Sequence, residues 1–371
     1  MQKIEIITLH YIKNYGSVLQ TYATQKKFEL MGYECEVIDY IRPNAEEKEE
    51  LKSGLGRKNF GSNKLIKYIY IMTKKLENKK KNKIFNEFLD KYINLSKHYS
   101  SYEELENNPP VGDIYCTGSD QTWNSEYNGG ILPAYYLQFV PKGKKRIGYA
   151  VSIGMDSIPQ NEVEVFKEYV RGYDAISVRE DAAKKILNGF GITNVQHILD
   201  PTLILSKDEW KALIAPRFFS EKYILIYKLN DNELMEKYAE YLKKITGCRI
   251  IRMSYYLNHY KYNGKMVYTP KVECFLSLIN NAEYILTDSF HCTAFSLNFE
   301  KEFFVFQTGK YNSRIQSILK LTKTEHRLVS TLEQKIKDID YDNVREILNS
   351  EREKATDFIK KNCYIDKNVK G

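Results

Sequence analysis

The chain reads as an α/β protein of two Rossmann-like domains facing a cleft, each built on a parallel sheet. Short β-branched or aromatic runs alternate with longer helical patterns, the rhythm of parallel strands covered by helices. That rhythm restarts after Asp200-Pro201. A length of 371 residues also exceeds what one compact core usually holds.

In the first half, strands are predicted at 4–8, 36–40, 114–117, 146–149, 175–178 and 195–199. Helices are predicted at 17–31, closed by Gly32, at 162–171, with Asn161 as N-cap and Gly172 as stop, and at 181–188. In the second half, strands fall at 223–229, 250–253, 284–286 and 303–306. Between them run helices from Asp231 or Asn232 to Thr246, ended by Gly247, then at 272–280 and 291–299. The expected division is 1–200 for the first domain and 201–341 for the second. The helical stretch within 342–371 is expected to pack back across the first domain.

The segment 46–96 breaks the rhythm and reads as a basic helical insertion. Between Lys64 and Lys83 there are eight lysines and one acid, Glu77. Leu65, Ile69, Met72 and Leu76 fall at helical spacing and form an apolar stripe. Two readings stay open: a helical hairpin packed on the first domain with a solvated lysine face, or peripheral contact of 64–83 with an anionic membrane.

The net charge of +8 is concentrated in that segment, so nucleic acid is not an expected partner. Six scattered cysteines form no C-x-x-C pair or Cys/His cluster; no metal is expected, and free thiols point to a reducing compartment. No signal-peptide pattern opens the sequence, and no apolar run approaches a membrane span, so a cytoplasmic protein is expected. Thirty tyrosines against two tryptophans either furnish a sugar-binding surface or reflect codon composition.

Five constellations sit where strands end. Asn14-Tyr15-Gly16-Ser17 lies between the first strand and first helix, at the sheet edge where ligands bind in open α/β folds. No G-x-G-x-x-G is present to support a dinucleotide site. Gly118-Ser119-Asp120-Gln121-Thr122-Trp123-Asn124 combines a carboxylate, amides and hydroxyls with a tryptophan, the mixture a sugar needs. Arg179, before Glu180 and Asp181, can hold a carboxylate or phosphate, or pair with either neighbour. In Thr287-Asp288-Ser289-Phe290-His291, Ser289 or Asp288 caps a helix whose first turn carries His291, which suits an anion. Lys310 and Arg314, with Tyr311 between, could reach the same anion. His10 could line the cleft; His98, His197, His259 and His326 have no evident partner.

These strings resemble the polysaccharide pyruvyl transferases. The resemblance rests on Asn14-Tyr15-Gly16-Ser17 with Leu19-Gln20 and Tyr22-Ala23, and on Gly118-Ser119-Asp120-Gln121 with Trp123-Asn124. It also rests on Ser177-Val178-Arg179-Glu180, Asp200-Pro201-Thr202 and Thr287-Asp288-Ser289-Phe290-His291 with Ala294-Phe295-Ser296, all in family order. It implies a GT-B-like fold and a transferase that moves pyruvate from phosphoenolpyruvate, as co-substrate without a cofactor, onto a sugar as a cyclic ketal. The implied donor site comprises Arg179, His291, Ser289, Lys310 and Arg314. Arg314 would replace an arginine that some members carry before the histidine, where this chain has Ser289-Phe290. The implied acceptor side comprises Asn14, Tyr15, Gly16, Ser119, Asp120, Gln121, Trp123 and Asn124. His291 and Asp120 are the expected catalytic pair, and the implied acceptor is a glycan, free or polyprenyl-diphosphate-linked. The alternatives are a nucleotide-sugar glycosyltransferase of the same fold class and a non-catalytic glycan-binding protein.

Overall fold

The computed structural model describes residues 1–42, 64–307, 313–332 and 337–364. The first sheet contains seven parallel strands: β1 (Lys3–Ile7), β2 (Glu34–Tyr40), β3 (Leu95–Tyr99), β4 (Ile114–Thr117), β5 (Lys145–Val151), β6 (Ala175–Val178) and β7 (Val195–His197). The second contains six: β8 (Tyr223–Tyr227), β9 (Arg249–Ser254), β10 (Lys265–Tyr268), β11 (Tyr284–Thr287), β12 (Glu302–Phe306) and β13 (Leu328–Val329). Central strands such as Ile114–Thr117, Ala175–Val178 and Tyr223–Tyr227 are buried at every residue, which explains their unbroken apolar runs.

The spatial orders are β3-β2-β1-β4-β5-β6-β7 and β10-β9-β8-β11-β12-β13. In both, the chain winds outward one way from the first strand, then returns to build the other half. The reversal falls between β1 and β4, in register Ile4 with Ile114, and between β8 and β11, in register Tyr284 with Ile224. A crevice opens beyond the strand ends at such a reversal. The two crevices meet, and their loops are Asn14–Ser17, Gly118–Asn124 and Asp288–His291. The domains therefore form a GT-B-like pair with all strands parallel.

Several expectations are corrected. The stretch 46–96 is not outside the sheet rhythm: it ends in β3, the first sheet's edge strand. Its described part holds one 29-residue helix, Lys64–Tyr92, ahead of β3; the rest of the expected hairpin, with residues 43–63, lies outside the described residues. The edge strands β3, β10 and β13 escaped prediction because they are short and, in β3 and β10, largely half-exposed. The helix Val163–Arg171 follows a short 3-10 turn and has Glu162, not Asn161, at its N-cap. Asn232 does cap Glu233–Thr246, accepting from the Met235 amide at 2.9 Å.

The domains share a core. Tyr15 stacks on Phe275 at 4.4 Å and 10°, and its hydroxyl donates to the Pro270 carbonyl at 2.6 Å. The last described helix, Tyr341–Cys363, touches both domains. Arg345 pairs with Glu300 at 2.9 Å, and Phe358 lies 6.2 Å from Tyr149. Among the described residues, no helix is long and apolar enough to cross a membrane.

Candidate active site

The first helix, Tyr15–Leu30, starts at β1's end because Asn14 accepts the Ser17 amide at 2.8 Å. In the second domain, Ser289 caps Phe290–Asn298 by accepting the Cys292 amide at 3.4 Å. Asp288 is occupied elsewhere, taking the amides of Leu229 and Asn230 at 2.7 and 2.9 Å. Gly16 and His291 are each the second residue of their helices, and these helix starts meet across the cleft. A Cβ on Gly16 would lie 2.0 Å from His291 Nδ1, so only glycine admits the ring there. The small residue makes room for this imidazole.

Arg179, at the end of β6, is buried between two carboxylates. It donates to Asp200 Oδ2 at 2.5 Å, pairs with Asp120 Oδ1 at 3.4 Å and reaches Ser119 Oγ at 3.3 Å. Asp200 is held in turn by the Thr202 amide and hydroxyl, at 2.9 and 2.6 Å. Its Oδ2 also lies 3.9 Å from His291 Nε2. The rings and guanidinium groups interleave, with Arg179 and Arg314 each 5.6 Å from the Phe290 ring centre.

This junction holds open hydrogen-bonding groups. Among the described residues, Arg179 Nε and His291 Nε2 are buried without hydrogen-bond partners. Burial, reinforced by the neighbouring Arg179 and Arg314 charges, pulls His291 down to about 4 despite the nearby Asp200 and Asp120. Its imidazole is therefore neutral at pH 7 in the empty cleft, and burial rather than the helix end is the main cause. Burial, then Arg179, likewise lowers Arg314. A cluster of this kind, with buried guanidinium groups and open donors at two helix starts, has the chemistry that suits an anion.

Asp120 is differently placed. It adopts a left-handed backbone, φ 74°, that turns the chain straight after the strand end. Oδ2 accepts the Ser17 hydroxyl at 2.6 Å, and Oδ1 accepts the Gln121 amide at 2.9 Å besides facing Arg179. Burial alone would raise its carboxyl, but Arg179, then His291, Ser17 and Arg314, hold it below the usual range. Such a carboxylate is a weak base; it ties Arg179 to the first helix.

Several residues with expected sugar contacts are structural. Trp123 is 1% exposed, donates Nε1–H to the Tyr135 carbonyl at 3.0 Å and stacks on Tyr136 at 5.3 Å. It offers no platform. Tyr15 is buried in the domain interface, and Asn124 caps a short helix by accepting the Tyr127 amide at 2.9 Å. Gln121 Oε1 accepts from Asn124 Nδ2 at 2.6 Å. Much of the tyrosine enrichment is core as well: Tyr99, Tyr115, Tyr135, Tyr136 and Tyr149 are fully buried. Lys310 lies outside the described residues. His10 is buried and, with His98, sandwiches Asp39, each at 3.0 Å. His259 meets Ser254 Oγ at 2.8 Å. Asp200 is the residue to which sequence reasoning assigned no role, although its position before Pro201-Thr202 marks it as an N-cap behind the cleft.

Residues 14–310 match the sequence profile of the polysaccharide pyruvyl transferases, across most of the chain. The chain belongs to that family. No curated protein matches it in sequence. Among solved structures, a UDP-N-acetylglucosamine 2-epimerase from Rickettsia bellii is similar at 12% identity and a TM-score of 0.48, covering 100% of this chain and 99% of that one. An S. aureus MnaA–UDP co-structure is similar at 14% identity and a TM-score of 0.46, covering 99% and 93%. Arabidopsis thaliana UGT89C1 complexed with UDP-L-rhamnose is similar at 10% identity and a TM-score of 0.45, covering 98% and 94%. These likenesses carry no information on substrate. As a family member the chain is a transferase acting in polysaccharide synthesis, with a glycan as acceptor.

Proposed function

We propose that this transferase moves the pyruvyl group of phosphoenolpyruvate onto two hydroxyls of a sugar in a cell-surface polysaccharide or its polyprenyl-linked precursor, on the cytoplasmic side of the membrane. The observation that carries the reading is the junction of Arg179, His291 and Arg314, where buried donor groups from both domains converge. Phosphoenolpyruvate brings a carboxylate and a phosphate to be gripped at once, and guanidinium groups suit both.

The chemistry balances as follows. A proton adds to the methylene carbon, leaving an oxocarbenium-like centre that one sugar hydroxyl attacks. The carbon–oxygen bond to phosphate then breaks, and the neighbouring hydroxyl closes the ring. Of the two hydroxyl protons, one replaces that taken up by the methyl group and one leaves with inorganic phosphate. Arg314, with no ion pair among the described residues, and the open Nε of Arg179 hold the anion. A bound phosphate dianion raises the His291 pKa, so the imidazole takes up that second hydroxyl proton and passes it to the departing phosphate. Asp120 and Asp200 position Arg179. Lys310 is proposed as a further donor contact.

Phosphate release from phosphoenolpyruvate, measured with a panel of galactosides and N-acetylhexosamine glycans, tests this. Acceptor-dependent release should fall by about 10²–10⁴-fold in His291→Ala. Release at the wild-type rate in that variant discards the site. Absence of both release and phosphoenolpyruvate binding, with stabilisation by a nucleoside diphosphate instead, favours a glycosyltransferase.

A further inference from the structure

The described contacts of the helix Lys64–Tyr92 to other elements gather on one side. Its inner face packs on the first helix through Phe85 and Phe88 and reaches the second domain, where Glu77 accepts the Leu257 amide at 2.9 Å. On the opposite face Tyr68, Ile69, Met72 and Leu76 are 62, 55, 42 and 58% exposed. Four large apolar side chains in a row on one helix face are a poor solvent surface. Lys75 and Lys79 are exposed one turn beyond Met72 and Leu76, on the same side. Glu77, the one acid between residues 64 and 83, is turned inward and neutralised by Lys74 at 2.6 Å. The outer face of that stretch is thus apolar and purely cationic.

We infer that this outer face docks on an anionic lipid bilayer, with Ile69, Met72 and Leu76 entering the interface and Lys75 and Lys79 meeting the headgroups. The charge complementarity selects the occupant: an apolar stripe continued by lysines, without an outward acid, matches a negatively charged lipid surface. Lys80 and Lys81 face the other way, over Tyr268 at 4.3 Å and Tyr255 at 5.4 Å. They join the docking helix to the second domain beside the cleft. The inference does not depend on the donor, because docking is read without catalysis.

Flotation of the full chain with phosphatidylcholine vesicles, with and without phosphatidylglycerol, is the test. Binding should require phosphatidylglycerol and weaken with salt. It should fall by about tenfold or more in Ile69→Ser/Met72→Ser/Leu76→Ser, and by about fivefold for each of Lys75→Gln and Lys79→Gln. These side chains are exposed, so thermal melting should not change. Both native tryptophans, Trp123 and Trp210, are buried and give a constant background. A Met72→Trp variant should therefore show a blue shift on adding anionic vesicles. No flotation, flotation that survives the triple substitution, or flotation without the blue shift overturns the inference. So does a dimer in light scattering that the triple substitution dissociates, which would assign the stripe to a second copy.

Discussion

Two strand-end loops of similar appearance behave in opposite ways. Gly118–Asn124, in the first domain, is rich in polar side chains, yet nearly all of them are consumed locally. Asp120 serves Ser17, Gln121 and Arg179, Asn124 serves Tyr127, and Trp123 is sealed against Tyr136. Thr287–His291, in the second domain, has fewer polar groups but leaves His291 Nε2 open beside two arginines. Residue type alone does not separate such loops. Unspent hydrogen-bonding capacity beside buried arginines does: Thr122 Oγ1 is also left open, but away from such a cluster, and a buried group without a partner costs stability that ligand binding can recover.

The largest expected consequence concerns Trp123. Trp123→Ala should cost about 3–5 kcal/mol in chemical denaturation, while phosphoenolpyruvate affinity per folded molecule stays near wild type. Affinity that falls with stability preserved would return Trp123 to the binding surface and erase the contrast.

Acid tests the other loop. The folded His291 pKa lies below its ordinary 6.5, at about 4, so the unfolded chain binds the extra proton first. The stabilisation is complete above pH 6.5 and is lost as pH falls towards 4, in total on the order of 3 kcal/mol. Urea unfolding of the ligand-free protein at pH 7 and pH 4.5 should show a smaller acid loss for His291→Asn than for wild type. Equal losses would mean that His291 is not held neutral.

The smallest expected effect compares two glycines. Gly16→Ala pushes a methyl group into the His291 ring and should raise the donor KM by about ten- to a hundredfold, roughly 1–3 kcal/mol. Gly118→Ala, whose Cβ would meet Thr8 and Ile6 side chains at 3.1 and 3.3 Å, should lower Tm and leave KM alone. Identical behaviour of the two would break the comparison.

Much of the architecture was legible because central strands advertise themselves by apolar runs and helix starts by their caps, as at Asn232 and Ser289; the first helix, expected from residue 17, instead starts at Tyr15 behind the Asn14 cap. The edge strands were not, since Leu95–Tyr99 is half solvated and carries Lys97 and His98. The adjacency of Arg179, His291 and Arg314 could be expected only through strand-end logic and resemblance, as the residues come from three distant segments. Trp123 misled because its partner Tyr136 lies in a 3-10 turn with no periodic signal. Asp39 was invisible as a histidine partner, because the register that sets it opposite His98 depends on an unpredicted strand.

The contact between Gly16 and His291 also bears on how the chain can be recombined. The bare Cα and the imbedded ring belong to different domains, so neither domain carries the fit by itself. A chimera joining one half of this chain to the other half of a relative inherits a working cleft only if positions 16 and 291 travel as a matched pair. Substitution at one should be visible to selection through the other, as covariation across nearly three hundred residues of intervening sequence.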